Sequence, residues 1–552
     1  MDKLLTFFFD RTTRARCDIA LLAVAFSLPL FQLLGRYPLL EPDEGRYSEI
    51  PREMLERGDF ITPTLNYVKY FEKPPLLYWL NALSFSIFGQ NEFAARFPCA
   101  LAGLLTIILT YWLGRKLFNR QVGLMAAVIL GTSSGFVAQA RINLTDMPLT
   151  FCLTLCLGSF ILALRDSENS RTLFYTFYAG AAMSVLAKGL IGILFPGVII
   201  FLFMLACKRW DLLKKMRLPT GSILFLLIAA PWFVMVSLRN PEFARFFFVH
   251  EHFERFLTTA HRRYKPFWYF VPVLAGTMFP WSIFIPAALR HAWQNRKGND
   301  REIITFLAIW AGFIFLFFSK SNSKLMPYIL PVLPPLAILT ANLCTGALGR
   351  WNGPIKTHAK CLTALLMIIG IALPIYPLLA TKQDFPLSGA ILLGTIFVCQ
   401  AGLAWHLIKR ADALFFFMVV AFGSLLSTVI AGHIAYSQLA ERKTSKSLAL
   451  KIKSLATPET VVASFGYDQT LPFYSRRRTV VVGNRGELEF GSKQGNQTEW
   501  FLDSEAFYRE WDGGKRVFAL LPPKGLEELV KNTKTPPTVI EQKRRKMLVT
   551  NR

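Results

Sequence analysis

The sequence predicts an all-α polytopic membrane protein of about 13 transmembrane helices, followed by a C-terminal α/β domain on the outer side. Three observations carry that prediction. Apolar residues make up 53% of the 552-residue chain and charged residues only 18%, against roughly 25% charged in soluble domains. The mean hydropathy is +0.36, and the apolar residues gather into long runs. Residues 433–552 break the pattern, alternating short strand-like and helix-like stretches.

A spanning helix needs about 20 mostly apolar residues. Thirteen runs qualify, at 17–35, 97–114, 121–138, 147–164, 172–187, 189–207, 219–238, 268–289, 303–318, 328–347, 361–380, 387–408 and 412–432. The first follows Arg11, Arg14 and Arg16 and resembles a signal peptide. Its length and the absence of a small-residue cleavage site make it an uncleaved anchor. With the N-terminus inside, the inner loops hold Arg115/Lys116/Arg120, Arg165/Arg171, Lys208 to Arg217, Arg290 to Arg301, Arg350/Lys356/Lys360 and Lys409/Arg410. All are basic, as the positive-inside rule asks. An odd number of spans then puts the tail outside.

The net charge of +26, from 62 Lys+Arg against 36 Asp+Glu, belongs to this flanking pattern and to anionic lipid head groups. No basic-aromatic module of a nucleic-acid binder is present. The eight cysteines lie in or beside apolar runs, without a CxxC pair, and read as apolar lining, with neither a disulfide framework nor a cysteine metal site.

The outer segments are too long to be connectors. Residues 36–96 read as short amphipathic helices broken at Pro42, Pro51, Pro63, Pro74 and Pro75. Residues 239–267 contain HEHFERF and HRRYKPF. In the tail, VVASFGY, TVVVG, KRVFALL and residues 546–550 read as strands, while SEAFYREW and PKGLEELVKN read as helices. That mixture predicts a small α/β domain. The organisation is therefore a membrane domain over 1–432, including the loop 36–96, and an outer domain over 433–552.

Charged groups beside a bilayer are costly and tend to mark function. In EPDEGRY, Glu41, Asp43 and Glu44 crowd together with Arg46 and Tyr47; adjacent carboxylates repel, so one needs a cation, a metal or a proton. Asp43 also sits where it could cap a helix running through Met54. In KYFEKPP, Tyr70, Glu72 and Lys73 precede a rigid Pro-Pro. That turn presents Lys73 to a phosphate, with a snorkelling lysine as the plainer reading. ARINLTDMPLT supplies Arg141 and Asp146, and Lys188 stands alone between two apolar runs. HEHFERF offers His250, Glu251, His252 and Arg255; with Glu72 near, a histidine there could bind a divalent ion, although HExxH spacing is missing. SKSNSKLMPY adds Lys320, Lys324 and Tyr328. Together these loops predict an outward-facing cavity for an anionic, lipid-linked substrate.

These residues resemble a known family. EPDEGRY after the first span, FEKPPLLYWL, ARINLTDMPLTF, the AKG lysine, EHFERF, SKLMPYILPVLPPLA and the tail run YDQTLPFYSRRRTVVVGNRGELEFG look like the aminoarabinose lipid A transferases. Those enzymes belong with the protein O-mannosyltransferases in the GT-C group, and the resemblance covers the whole chain. It implies a GT-C fold in the bacterial inner membrane, with a periplasmic active site. It implies transfer of aminoarabinose, with inversion, from undecaprenyl phosphate to a lipid A phosphate, and so polymyxin resistance. Asp43 becomes the catalytic carboxylate, with Asp146 nearby and Glu44 as a further candidate. Lys73, Arg255 and Tyr328 hold the leaving phosphate, and Lys188, Lys324, Arg46, Tyr47 and Tyr70 are candidates for the same work. No cofactor is required for certain; a divalent metal, zinc or similar, would take Glu72 and His252, with His250 as the alternative. The implied partners are the undecaprenyl-phosphate sugar, lipid A and membrane lipid, and no nucleic acid.

The absence of a P-loop or dinucleotide glycine fingerprint agrees with a lipid-linked donor. Two alternatives stay open: a same-fold transferase acting on a protein or another glycan, and a transporter of a lipid-linked anion. A transporter would more typically show inverted repeats and polar residues at mid-membrane, and neither is visible.

Overall fold

The computed structural model describes residues 11–248, 265–296, 298–349, 351, 353–379 and 385–552. The chain divides into two compact units. One comprises Met1–Gln32, Cys99–Val234 and Ala244–Ala435; the other comprises Leu33–Pro98, Met235–Phe243 and Tyr436–Arg552.

The first unit is helical. Among the described residues, eight helices are long and apolar enough to cross a membrane, or up to ten if each of two bent pairs is one span. The predicted number of 13 is therefore not reached on length and composition. Each predicted run is helical over most of its described residues, but three fall short of the criterion. Arg11–Phe31 carries Arg14, Arg16 and Asp18, Ser170–Lys188 is too polar, and Ile191–Cys207 has only 17 residues. The bent pairs are Arg120–Gly131 with Ser134–Ala140, at 67°, and Phe267–Thr277 with Trp281–Gln294, at 114°.

Small residues let these helices approach closely. A Cβ on Gly180 would lie 2.8 Å from the Cys156 nitrogen, and one on Gly394 would lie 2.6 Å from the Gly370 carbonyl oxygen. Around Phe160, the rings of Phe174, Phe177, Phe203 and Phe306 pack at 5.5–6.4 Å. Thr106, Thr110, Thr150 and Thr154 donate to the carbonyl four residues back at 2.6–2.8 Å, which satisfies these four hydroxyls in an apolar setting.

The second unit is built on a six-stranded sheet of order β5-β4-β3-β6-β8-β7. Its strands are β3 (Val461–Phe465), β4 (Val480–Val482), β5 (Phe501–Leu502), β6 (Val517–Leu521), β7 (Thr538–Lys543) and β8 (Lys546–Thr550). β3 to β6 pair in parallel, whereas β7 and β8 run antiparallel. The side-chain period of two divides the core between the faces. Phe518 and Leu520 join Leu448, Ile452, Leu471 and Phe473 on one face. Val517, Ala519 and Leu521 join Phe507, Trp511 and Leu529 on the other. Leu39, Phe85, Ala94 and Ala95, from the segment after the first helix, complete the first of these clusters.

The four strands read from sequence are β3, β4, β6 and β8, and both helices are present at Ser504–Trp511 and Pro523–Asn532. β5 is only two residues long, and β7 is a largely exposed edge strand, so neither carries a buried-strand signature.

Within 33–98, the helices are Asp43–Arg57 and Leu76–Phe88. Between them, β1 (Thr64–Leu65) and β2 (Val68–Lys69) form an unpredicted hairpin. Asn66 and Tyr67 both have positive φ, 53° and 61°, as a two-residue hairpin turn requires. Pro51 does not break its helix as expected. A proline leaves the carbonyl four residues back without its donor, and here Asn81 Nδ2 donates to that Tyr47 oxygen at 3.0 Å.

Candidate functional site

Asp43 opens the helix Asp43–Arg57. It is not the cap that the sequence suggested: Pro42 holds the N-cap position, and no side chain caps the helix. Asp43 is instead ion-paired with Arg46, one turn on, and 43% of its side chain is exposed. Arg46 is central to this group. Its guanidinium also pairs with Glu487, donates to the Tyr70 hydroxyl at 3.1 Å, and lies 5.0 Å from the centre of the Tyr47 ring. Burial works against the Arg46 charge, but Tyr70, Glu487, Tyr47 and Asp43 outweigh it and hold its pKa well above the ordinary value. Burial pushes the Glu487 carboxyl up against the pull of Arg46, and the nearby Glu72 adds to that push. Gln469 donates to Glu487 at 2.8 Å. Asp43, Arg46, Tyr47 and Tyr70 are thus brought together, and Glu487 joins them from the loop after β4.

Glu72 and Lys73 follow β2, where Lys73 Nζ donates to the Glu72 carbonyl at 2.8 Å. Just before them, Lys69 pairs with Glu242 at 2.5 Å.

Glu44 faces elsewhere. It is 1% exposed and takes Arg96 on both carboxylate oxygens, at 2.7 and 2.8 Å. Arg96 spends its remaining donors on the carbonyls of Leu34, Tyr37 and Pro38, at 2.6–2.8 Å. Adjacent carboxylates of one motif therefore have different surroundings: Asp43 is open, and Glu44 is enclosed.

In the helical unit, Asp146 begins the helix Asp146–Ala163 and Lys188 ends Ser170–Lys188. The two form an ion pair, with 9% and 8% of their side chains exposed. Lys188 Nζ lies 4.4 Å from the centre of the Tyr328 ring, a cation–π arrangement. Three sequence candidates, Asp146, Lys188 and Tyr328, thereby form one cluster. Lys324 turns to backbone, donating to Ser321 O at 2.5 Å and Lys265 O at 3.0 Å. Arg141 likewise donates to the carbonyls of Pro29 and Gln32.

His250, His252 and Arg255 lie outside the described residues. Among the described residues, no group of three or more His, Cys, Asp or Glu could hold a metal ion. The part of the proposed donor set that can be placed is the Glu72 carboxylate. A zinc site takes several donors, so Glu72 would hold such an ion only together with a histidine of HEHFERF.

Sequence reasoning missed Glu487, Asp468, Lys546 and Arg96. Glu487 and Asp468 lie in the tail run that carries the family resemblance, so their location was visible but their partners were not.

The comparisons with known proteins agree with this architecture. A family model for dolichyl-phosphate-mannose-protein mannosyltransferase matches residues 72–235, and one for the aminoarabinose transferase C-terminal domain matches residues 448–551. The undecaprenyl phosphate-alpha-4-amino-4-deoxy-L-arabinose arabinosyl transferase of Pectobacterium carotovorum is 30% identical over 509 residues, covering 89% of this chain and 88% of its own. Its namesake, numbered 2, from Pseudomonas fluorescens is 31% identical over 487 residues, covering 86% and 87%. The crystal structure of ArnT from Cupriavidus metallidurans bound to undecaprenyl phosphate superposes with a TM-score of 0.86 at 30% identity, over 97% of this chain and 98% of that one. The Archaeoglobus fulgidus oligosaccharyltransferase, at TM-score 0.55 and 14% identity over 94% and 71% of the two chains, shares the fold. With relatives this similar over almost its whole length, the chain belongs to the undecaprenyl phosphate-aminoarabinose arabinosyl transferase family.

Proposed function

We propose that this chain is a multi-pass enzyme of the bacterial inner membrane that moves aminoarabinose from undecaprenyl phosphate to a lipid A phosphate. The reaction adds a cationic sugar to an anionic surface lipid and so confers resistance to polymyxin and similar cationic peptides. The active site faces the periplasm, on the side opposite the short basic loops that the positive-inside rule assigns to the interior. The observation that carries this reading is the full-length likeness to a transferase solved with undecaprenyl phosphate.

The chemistry is a displacement at the anomeric carbon. An acceptor phosphate oxygen attacks that carbon, the bond from the sugar to the undecaprenyl phosphate oxygen breaks, and the configuration inverts. A phosphate oxygen is already anionic near neutral pH, so the attack needs little general-base help. The barrier lies in the charge that develops on the leaving phosphate and at the sugar. Cations fixed in advance lower such a barrier. Lys73, Arg255 and Tyr328 take the leaving phosphate in this reading, with Lys188 beside Tyr328. Asp43 faces the sugar, stabilising positive charge at the anomeric carbon or orienting the sugar amine. Arg46 fixes the direction of that carboxylate, and Glu487, Tyr70 and Tyr47 fix Arg46. Glu44 acts through the fold, by holding Arg96.

The test is direct. Purified full-length protein is incubated with undecaprenyl-phosphate aminoarabinose and lipid A, and the lipid is examined by mass spectrometry. The expected product is lipid A heavier by one aminoarabinose. Transfer to a protein or another glycan, with lipid A untouched, would remove the acceptor assignment and leave the transferase fold.

A further inference from the structure

The parallel strands of the second unit run in the order β5-β4-β3-β6. Chain direction away from β3 therefore reverses between β3 and β6: the next strand in sequence lies on one side, and a later one lies on the other. In an open parallel sheet, ligands bind outside the carboxyl ends of the strands at such a reversal. Here that place is taken by the chain itself.

Residues 466–470 follow β3. β8 is antiparallel to β6, with Met547 opposite Leu521, so Lys546 arrives at the same end. Lys546 Nζ lies 2.7 Å from both carboxylate oxygens of Glu41 and 2.6 Å from Asp468 Oδ2. It also donates to Ser445 Oγ at 2.9 Å. Thr470 Oγ1 donates to Glu41 at 2.9 Å, and the Glu41 amide donates to the Lys443 carbonyl at 2.8 Å. The turn that follows is held as closely. A Cβ on Gly45 would fall 2.7 Å from the carbonyl carbon and oxygen of Gln469, so only glycine lets the two backbones approach this far.

We propose that the C-terminal α/β domain positions the catalytic turn: the crevice at the ends of β3 and β6 holds residues 41–46, and Lys546 is the positioning residue. This rests on the reading of Asp43 as the reacting carboxylate. Glu41 and Asp468 are both largely buried around one lysine. Burial and the Asp468 charge push the Glu41 carboxyl up, while Lys546 pulls it down. Without the lysine, two carboxylates would face each other, and the turn carrying Asp43 would shift.

The experiment measures transfer by the full-length protein, with donor and acceptor varied separately. Lys546→Met lowers kcat by about 10²-fold, the effect of moving a reacting group by about 1 Å, and leaves the donor KM unchanged. Adding Glu41→Gln removes one of the facing carboxylates and recovers most of the lost kcat. Wild-type kcat in Lys546→Met overturns the proposal, as does a double variant that binds donor normally but is no faster than the single one. If Lys546→Met does not accumulate, Gly45→Ala tests the same seat from the other side: a lower kcat at unchanged donor KM supports the proposal, and wild-type kcat overturns it. Asp43→Asn run alongside separates the two ideas. Wild-type turnover in Asp43→Asn removes the reading of Asp43 itself. An inactive Asp43→Asn with a fully active Lys546→Met overturns the positioning role alone.

Discussion

Asp18, in the first helix of the helical unit, is 3% exposed. Arg120 meets both of its oxygens at 2.7 and 2.8 Å, and Tyr111 adds a third contact at 2.7 Å. Asp43, in the second unit, also faces an arginine, yet 43% of its side chain is open. The difference follows from the surroundings. Among apolar helices an unpaired charge is costly, so a carboxylate there is enclosed by cations from neighbouring helices. The second unit links its carboxylates through arginines and a lysine into extended groups, Glu44 to Arg96, Asp43 to Arg46 to Glu487, and Glu41 to Lys546 to Asp468. It can therefore leave a member such as Asp43 reachable by a substrate.

The largest expected effect tests the open carboxylate. Asp43→Asn keeps the size of the side chain and, since no cap depends on it, should leave the helix intact. Transfer should fall by about 10²–10³-fold, the range found when one electrostatic contact to a reacting centre is removed. The rate is measured on purified protein whose melting temperature matches wild type. A rate within about twofold of wild type, well short of that range, would make Asp43 an ordinary surface partner of Arg46 and move the catalytic assignment to Asp146.

The next effect tests the enclosed carboxylate beside it. Arg96→Met strands Glu44 in a site where both members are at most 2% exposed. Removing one partner of a buried pair costs roughly 3–5 kcal/mol, and three backbone carbonyls lose their donor as well. The protein should unfold at a clearly lower temperature in detergent. An unchanged melting temperature would show that buried and open carboxylates of this motif do not differ in structural role.

The two regions also differed in how much of them the sequence disclosed. An apolar run is a contiguous signal, so the helices of the first unit were located, and only their number as full spans is not reached by length and composition among the described residues, where runs are short or polar. The strands β3, β4, β6 and β8 were legible for the same reason. Glu487, Lys546 and Arg96, and the partners of Arg46 and Glu41, were a different matter. Arg46 and Glu487 are separated by 441 residues, and Glu41 and Lys546 by 505. A single sequence carries no signal that pairs charges across such distances. Asp146 and Lys188 are 42 residues apart, and both were singled out, but their ion pair needed the packing of two helices to appear. The hairpin β1–β2 was hidden because it is four residues of strand around a turn that has no glycine.

The smallest effect is a pH dependence, and it concerns a carboxylate that has no open face and, among the described residues, no ion-pair partner of its own. Glu53 is fully buried. Burial, and then the neighbouring Glu49, push its pKa up from 4.5 to about 8. Thr64 Oγ1 and the Tyr67 amide donate to it at 2.6–3.1 Å, and Arg52, which helps to hold it down, is engaged bidentately by Glu49. The folded form therefore binds this proton more tightly than the unfolded form. Its contribution is fully present below about pH 4.5 and is lost as the pH rises through about 8, because stability falls with pH wherever the folded state holds more protons. Glu53→Gln is neutral throughout and keeps an oxygen for the Tyr67 amide. Melting temperature measured from pH 5 to pH 8, on the full-length protein in detergent, should fall more steeply in wild type than in Glu53→Gln. Parallel slopes would mean that Glu53 is ionised across the range, with Arg52 and Arg478 serving it as Arg96 serves Glu44, and the second unit would then enclose its buried carboxylates just as the helices do.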